Sequence, residues 1–311
     1  MLTLGILASA LILILLPHDV YAWGPATHLE YAHRALESLA LFPPLVRKLL
    51  TKHENDYLYG AVAADITVGK GFTEYLYNCH NWRVAFELFH KKATKDHQKA
   101  FMLGYLVHLA ADTVAHNFFV PFKLIRSWNA RLLKHVYWEM RMDLTVPRRY
   151  WNMTHHFSSN NFVEDDVLLQ GHLKRTLFSF KTNKKIFNGL LILQRLKHWQ
   201  MMAQNVGRLS VWKLGEKDVH HYKGLALASA VDFLKKMEDS YVLKADPTGK
   251  LKILYARDMV KQIRRVDKAG DLTRDAEHRL FADIKKQLEA GIYEPVMLPI
   301  VENYIRDRNA A

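Results

Sequence analysis

Cysteine is almost missing from this chain of 311 residues: Cys79 stands alone, so no disulfide can form within it, even where the compartment would permit one. Stability must come from an apolar core and from any bound metal. Long apolar runs are also scarce. Beyond residue 22 no stretch is apolar enough to read as a membrane span, which leaves peripheral contact as the expected relation to a bilayer. Period-two alternation is rare, which argues against a β fold. Acidic residues are outnumbered, 31 Asp and Glu against 44 Lys and Arg, for a formal charge of +13 and a pI near 9.6. Such a surface attracts lipid headgroups or nucleic acid, or is a solvated basic face with no specific partner. No repeat or low-complexity segment occurs.

Hydrophobic residues make up 50% of the chain and charged ones 24%, a globular composition. Residues 4–16 form an apolar run too short to cross a bilayer comfortably, ended by Pro17, His18 and Asp19. Val20-Tyr21-Ala22 then offers small residues where a signal peptidase cuts, so residues 1–22 read as a signal peptide and Trp23 as the first residue of an exported chain. Residues 1–3 contain no Lys or Arg, which keeps an uncleaved anchor as the alternative.

Apolar residues recur at helical spacing almost throughout, so the expected fold is all-α. One helix is expected over 27–36, with Thr27 as its cap and Glu30 as the reciprocal partner. Others are expected over 99–119, stopping before Pro121, and over 127–144, stopping before Pro147. Residues 148–161 read as a polar and aromatic loop. Helices follow over 165–180, 184–207 and 219–241, and after the turn Asp246-Pro247-Thr248-Gly249 two basic amphipathic helices over 250–268 and 274–290. The expected organisation is a helical domain over 23–243 and a basic extension over 244–311. Residues 250–268 suit either an interfacial helix or one packed on its own domain, the packed form being preferred.

Chemistry concentrates in one segment. His108, Asp112 and His116 stand at i, i+4 and i+8, which on a helix fan over about 80° of one face and climb about 12 Å. Zinc takes nitrogen ligands at about 2.0–2.1 Å, so one ion cannot hold both end histidines, and the row favours at least two metals with Asp112 between them. His135 and Glu139 repeat the one-turn spacing downstream. Asp65, after the small-residue run Gly60-Ala-Val-Ala-Ala, and His80, beside Cys79, lie upstream and can fold back onto the row. A lone His and carboxylate pair at i, i+4 is more often a surface hydrogen bond. Here the row lies among Leu106, Val107, Leu109, Ala110, Val114 and Phe118, so it is expected to be buried, where metal supplies the missing partners. Cys79 is a competing soft ligand or inert packing. His155-His156 and His220-His221 read as surface residues.

Trp23-Gly-Pro-Ala-Thr-His28, followed in order by Asp65, His80, His108-x3-Asp112-x3-His116 and His135-x3-Glu139, resembles the zinc-dependent phospholipase C and S1/P1 nuclease superfamily. It is most similar to the catalytic domain of glycosylphosphatidylinositol-specific phospholipase D and its bacterial relatives. The resemblance covers 23–143. It implies a multi-helix bundle around a trinuclear zinc site. The α-amine and carbonyl of Trp23, His28 and one oxygen of Asp112 would hold one Zn²⁺. Asp65, His80, His108 and the other oxygen of Asp112 would hold a second, and His116, His135 and Glu139 a third with an open position. It further implies hydrolysis of a phosphodiester by water whose pKa the metal lowers to about 7, with Asp65 either orienting that water, accepting its proton or serving only as a ligand. Three residues rather than five separate Asp112 from His116, the form associated with the phospholipase D-like branch, which favours phospholipid as substrate. A single-strand nuclease is the alternative enzyme and would need an aromatic clamp, for which Tyr75, Tyr77, Trp82 and Trp128 are available. A metal-stabilised, non-catalytic helical protein on anionic membranes is the third reading.

Overall fold

The computed structural model describes residues 23–66, 80–130, 134–159, 162–171, 179–297 and 299–306, and among the described residues there are helices and turns but no strand. The leader, Tyr75, Tyr77, Cys79 and the side chain of His135 lie outside them.

Helix α1 (Pro25–Ala35) begins earlier than a Thr27 cap would place it, because Pro25 fits the first helical turn, where its missing N–H costs nothing. No side chain of the N-cap residue closes this end, and Glu30, expected to reach back to it, instead accepts a 2.5 Å bond from Lys223 Nζ. A 3₁₀ turn leads to α2 (Pro44–Lys52) and α3 (Glu54–Ala63), and then come α4 (Trp82–Glu87) and the long α5 (Asp96–Val114). The chain does not stop before Pro121. A π turn over Ala115–Phe119 widens the helix and resets its hydrogen bonds, so that α6 (Val120–Arg126) carries Pro121 in its first turn.

Ser127, Trp128 and Ala130 form hydrogen-bonded turns rather than the expected helix start, and α7 (Lys134–Asp143) follows. The supposed loop over 148–161 is α8 (Arg148–Ser159). Its buried Tyr150, Trp151, Thr154 and Phe157 lie on one face, a periodicity hidden among many polar neighbours. Next are α9 (Val163–Gln170), α10 (Phe180–Arg195) and α11 (Lys197–Leu209), the last two parted at Leu196, whose backbone is extended. Then α12 (Glu216–Lys236), α13 (Lys250–Lys268) and α14 (Arg274–Ala290) precede the short α15 (Asn303–Arg306). Helices α13 and α14 have the expected bounds.

Two apolar clusters hold the bundle. One centres on α3 and α5, and the other joins Trp23, Tyr31, Phe118 and Phe119 to Ile253, Ile263 and Ile284 of the last long helices. Each such large side chain, once buried, contributes about 1.5–3 kcal/mol before entropy is counted. Helix α13 turns Ile253, Ala256, Met259, Val260, Ile263 and Val266 inward, and its buried Lys252 donates to the carbonyls of Gly291 and Glu294 at 2.6 and 2.9 Å. Lys123 is also buried, bonded to Asp218 at 2.9 Å and facing the rings of Phe122, Trp138 and Tyr222.

The tightest crossing is between α3 and α5. A Cβ on Gly104 would stand 1.8 Å from the Tyr57 carbonyl oxygen, and one on Gly60 would stand 1.9 Å from that of Phe101. Backbone meets backbone there, so only glycine fits. Gly104→Ala should therefore cost about 3 kcal/mol, the upper end for overpacking, measured by chemical denaturation.

A second expected outcome concerns Asp165. Burial, then repulsion from Asp56 and Asp166, pushes its carboxyl up to about 8. An unfolded aspartate releases its proton near pH ~3.9, so across the window from there to about 8 the folded chain binds a proton that the unfolded chain does not. Stability contributed by this group falls as pH rises through that window. Melting Asp165→Asn beside the parent at pH 5 and pH 8 should show a smaller loss in the variant.

Candidate metal centre

The termination of α3 positions the centre. Its last carbonyls have no partner within the helix, and Asp65 N–H bonds to Val62 rather than one residue further back. The Ala61 carbonyl is thereby left to accept from His108 Nδ1 at 2.8 Å. A carbonyl can only accept, so the proton sits on Nδ1, and Nε2 presents its lone pair inward. Such a second contact is what fixes a ligating histidine.

Around that Nε2 the expected residues converge. His80 Nε2 lies 3.0 Å away, Asp112 Oδ2 3.2 Å and Asp65 Oδ1 3.7 Å. His80 Nε2 is also 3.0 Å from Asp112 Oδ2 and 3.4 Å from Asp65 Oδ1, while His28 Nε2 is 3.3 Å from Asp112 Oδ1. The rings of His28 and His108 stack with centroids 3.6 Å apart. All five residues are buried. Two groups of donor atoms are close enough to share an ion: His28 with Asp65 and His108, and His80 with His108 and Asp112. They share His108.

The donor chemistry fits zinc. Both ring nitrogens of His28 and both oxygens of Asp112 are buried without a hydrogen-bond partner, although ring nitrogens approach the carboxylate within hydrogen-bonding distance. Proximity without hydrogen-bond alignment in a dry interior is costly for polar atoms and is resolved by a cation among them. Burial, reinforced by the neighbouring His28, pushes the His108 ring down to about 4, which keeps it neutral as a ligand must be.

Neither donor group contains His116 or Glu139, though both are buried. His116 is the second residue of the π turn and donates from Nδ1 to the Pro247 carbonyl at 2.6 Å, so its Nε2 also keeps a lone pair. The residues 246–249, legible in the sequence only as a turn, are pressed against this histidine. Gly249 has φ +55°, and a Cβ there would stand 2.2 Å from the His116 carbonyl oxygen; Asn117 Nδ2 donates to Asp246 O at 2.8 Å. His135 and Glu139 both belong to α7. Trp23 is fully buried, its ring 6.2 Å from that of His28 and edge-on to Tyr31 at 5.0 Å.

Asp143 was not anticipated. It accepts from Thr27 N and Thr27 Oγ1 at 3.0 and 2.5 Å, tying the start of α1 to α7, and a Cβ on Gly24 would lie 2.0 Å from its Oδ2. Burial pushes its carboxyl up to about 6 against the two Thr27 bonds. Only the Gly after Trp23 hinted at so close an approach. Of the aromatic residues considered for a base clamp, Trp82 and Trp128 are partly buried and spend their ring N–H groups on Ala245 O and Glu277 Oε1, both at 2.8 Å. They pack and brace rather than stand free to stack. His155, His156, His220 and His221 are exposed, as expected.

No curated protein and no solved structure matches the chain. One family does, described as zinc dependent phospholipase C, over residues 27–184, which extends past residue 143, where the motif resemblance ended. Since that match spans about half of the sequence and encloses His28, Asp65, His80, His108 and Asp112, the chain belongs to the zinc dependent phospholipase C family.

Proposed function

We propose that the chain is an exported zinc-dependent phosphodiesterase that hydrolyses phospholipids, with phospholipase C-like cleavage on the glycerol side as the leading outcome and D-like cleavage on the headgroup side as the other. The observation carrying this reading is the buried convergence of His28, Asp65, His80, His108 and Asp112 in a chain of that family. In this reading residues 1–22 are removed, the 23–243 domain holds the site, and 244–311 packs on it. Trp23, through its freed α-amine, His28 and Asp112 would hold one Zn²⁺. Asp65, His80, His108 and Asp112 would hold the second, and His116, His135 and Glu139 the third. The two ring nitrogens aimed by Ala61 and Pro247 carbonyls support that division.

Bound zinc supplies Lewis acidity toward the phosphoryl oxygens and an activated water. The protein residues supply the geometry. Asp112 would hold two of the ions, a reading supported by one oxygen facing His28 and the other facing His80 and His108. Asp65, beyond the end of α3, would orient the water, take its proton or serve only as a ligand. The burial of the His28, His80, His108 and His116 rings excludes bulk solvent from these donors. Phospholipid is preferred over nucleic acid for the short Asp112-x3-His116 spacing and because the bracing roles of Trp82 and Trp128 leave no clamp among the described aromatic residues considered for it.

Incubation with zinc should yield a mature chain that cleaves diacyl phospholipid and leaves single-stranded DNA intact; the opposite preference would make it a nuclease. Metal analysis of the same sample should give three equivalents, falling to about one in Asp112→Ala because a bridging carboxylate serves two ions.

Export doubles as activation if the Trp23 amine is a ligand, since an amide nitrogen has no lone pair to give. Adding Met-Gly before Trp23 should leave helicity by circular dichroism unchanged and abolish most metal binding and turnover. Full activity in that protein would contradict the role assigned to Trp23.

A further inference from the structure

Leu209 and Val211 are 87% and 80% exposed, far more than their chemistry favours in water. They flank Ser210 where α11 ends, and the short connection to α12 holds them firmly. Arg141 of α7 donates to the Gly207 carbonyl at 2.8 Å, and a Cβ on Gly207 would stand 2.7 Å from that guanidinium, so the two pack closely. Tyr137, one turn earlier on α7, donates to the Trp212 carbonyl at 2.8 Å and receives Arg141 at 3.1 Å. Lys213 closes the loop by donating to the Arg208 carbonyl at 2.8 Å, and Ser210 Oγ accepts from Trp212 N–H at 3.1 Å. Trp212 and Leu214 pack against the core, which leaves the Leu209 and Val211 side chains directed outward.

The charge along this stretch is mostly positive. Arg208, Lys213 and Lys217 are exposed, against Glu216 as the one acid in 208–217, on a chain of net charge +13. Among the described residues no helix is long and apolar enough to cross a membrane. Two pinned apolar side chains in an exposed, mostly cationic stretch match the boundary of an anionic bilayer, where the apolar tips enter the acyl region and the cations meet headgroup phosphates. A loop clasped in advance loses little freedom on docking.

We infer that the 207–213 loop is a lipid-docking prong that seats the protein on anionic membrane surfaces. The inference rests on the lipid reading of the site for its biological sense. It also ties the membrane to the site, because the helix gripping the loop is the one that carries His135 and Glu139.

The test uses the mature, zinc-loaded chain and sedimentation with phosphatidylcholine vesicles, with and without phosphatidylglycerol. The parent should bind the anionic vesicles, and Leu209→Glu combined with Val211→Glu should bind at least about tenfold more weakly, since both the apolar insertion and the local charge are lost. Circular dichroism and turnover on a soluble short-chain phosphodiester should not change. Should the double variant misfold, Leu209→Ser with Val211→Ser carries the same expectation. Leu251→Glu with Leu254→Glu, a second exposed apolar pair, on α13, is the control and should bind as the parent does. Unchanged binding by the loop variant, an equal loss in the control, or no binding by the parent overturns the prong. Turnover of the soluble diester without vesicle binding removes the prong alone. Loop-dependent binding without any turnover upholds the prong and removes the hydrolase.

Discussion

Everything at the centre depends on how closely α3 and α5 approach. With glycine at 60 and 104, the two backbones touch, and the end of α3 comes within hydrogen-bonding distance of the α5 ring that both donor groups share. The Ala61 carbonyl then fixes the proton on His108 Nδ1 and aims Nε2, and Asp65, just past the helix end, is delivered to the same space. A wider crossing would leave a histidine in an apolar interior with neither its proton nor its lone pair assigned. The centre is therefore a product of helix packing at least as much as of the ligand side chains themselves.

The remaining donors arrive by similarly local devices. The first turn of α1 is held by a carboxylate from α7, which draws His28 under Asp112. His80 directly precedes α4, whose N-cap Asn81 accepts from Arg83 N–H and fixes the chain direction there. Elsewhere two ion pairs, Glu30 with Lys223 and Asp218 with Lys123, link distant helices. Removing one partner of such a pair is far more damaging than never having had it.

The helical class, the i, i+4 row and the upstream donors were legible because each depends on short-range periodicity or on residue types with few other uses in an apolar setting. Bounds were legible where amphipathic contrast is strong, as in α13 and α14. They were not where proline and polar residues carry two meanings. Pro25 starts a helix, Pro121 is absorbed by a π turn, and α8 conceals its buried face among Arg, Asn and His. The roles of Asp143 and of the turn at Pro247 and Gly249 were not legible because they are long-range: a carboxylate on a helix start 116 positions away, and a carbonyl on a histidine 131 positions away. No local pattern encodes a partner so distant in the chain.

The grip of residues 246–249 on His116 bears on the order of events during synthesis. That ring gains its fixed tautomer from a carbonyl lying well past residue 184, where the family match ends. A nascent polypeptide emerging from the ribosome or a translocation pore thus cannot present a finished set of aimed nitrogens until its last third has followed. A translation product truncated before residue 247 would lack the contact that holds His116.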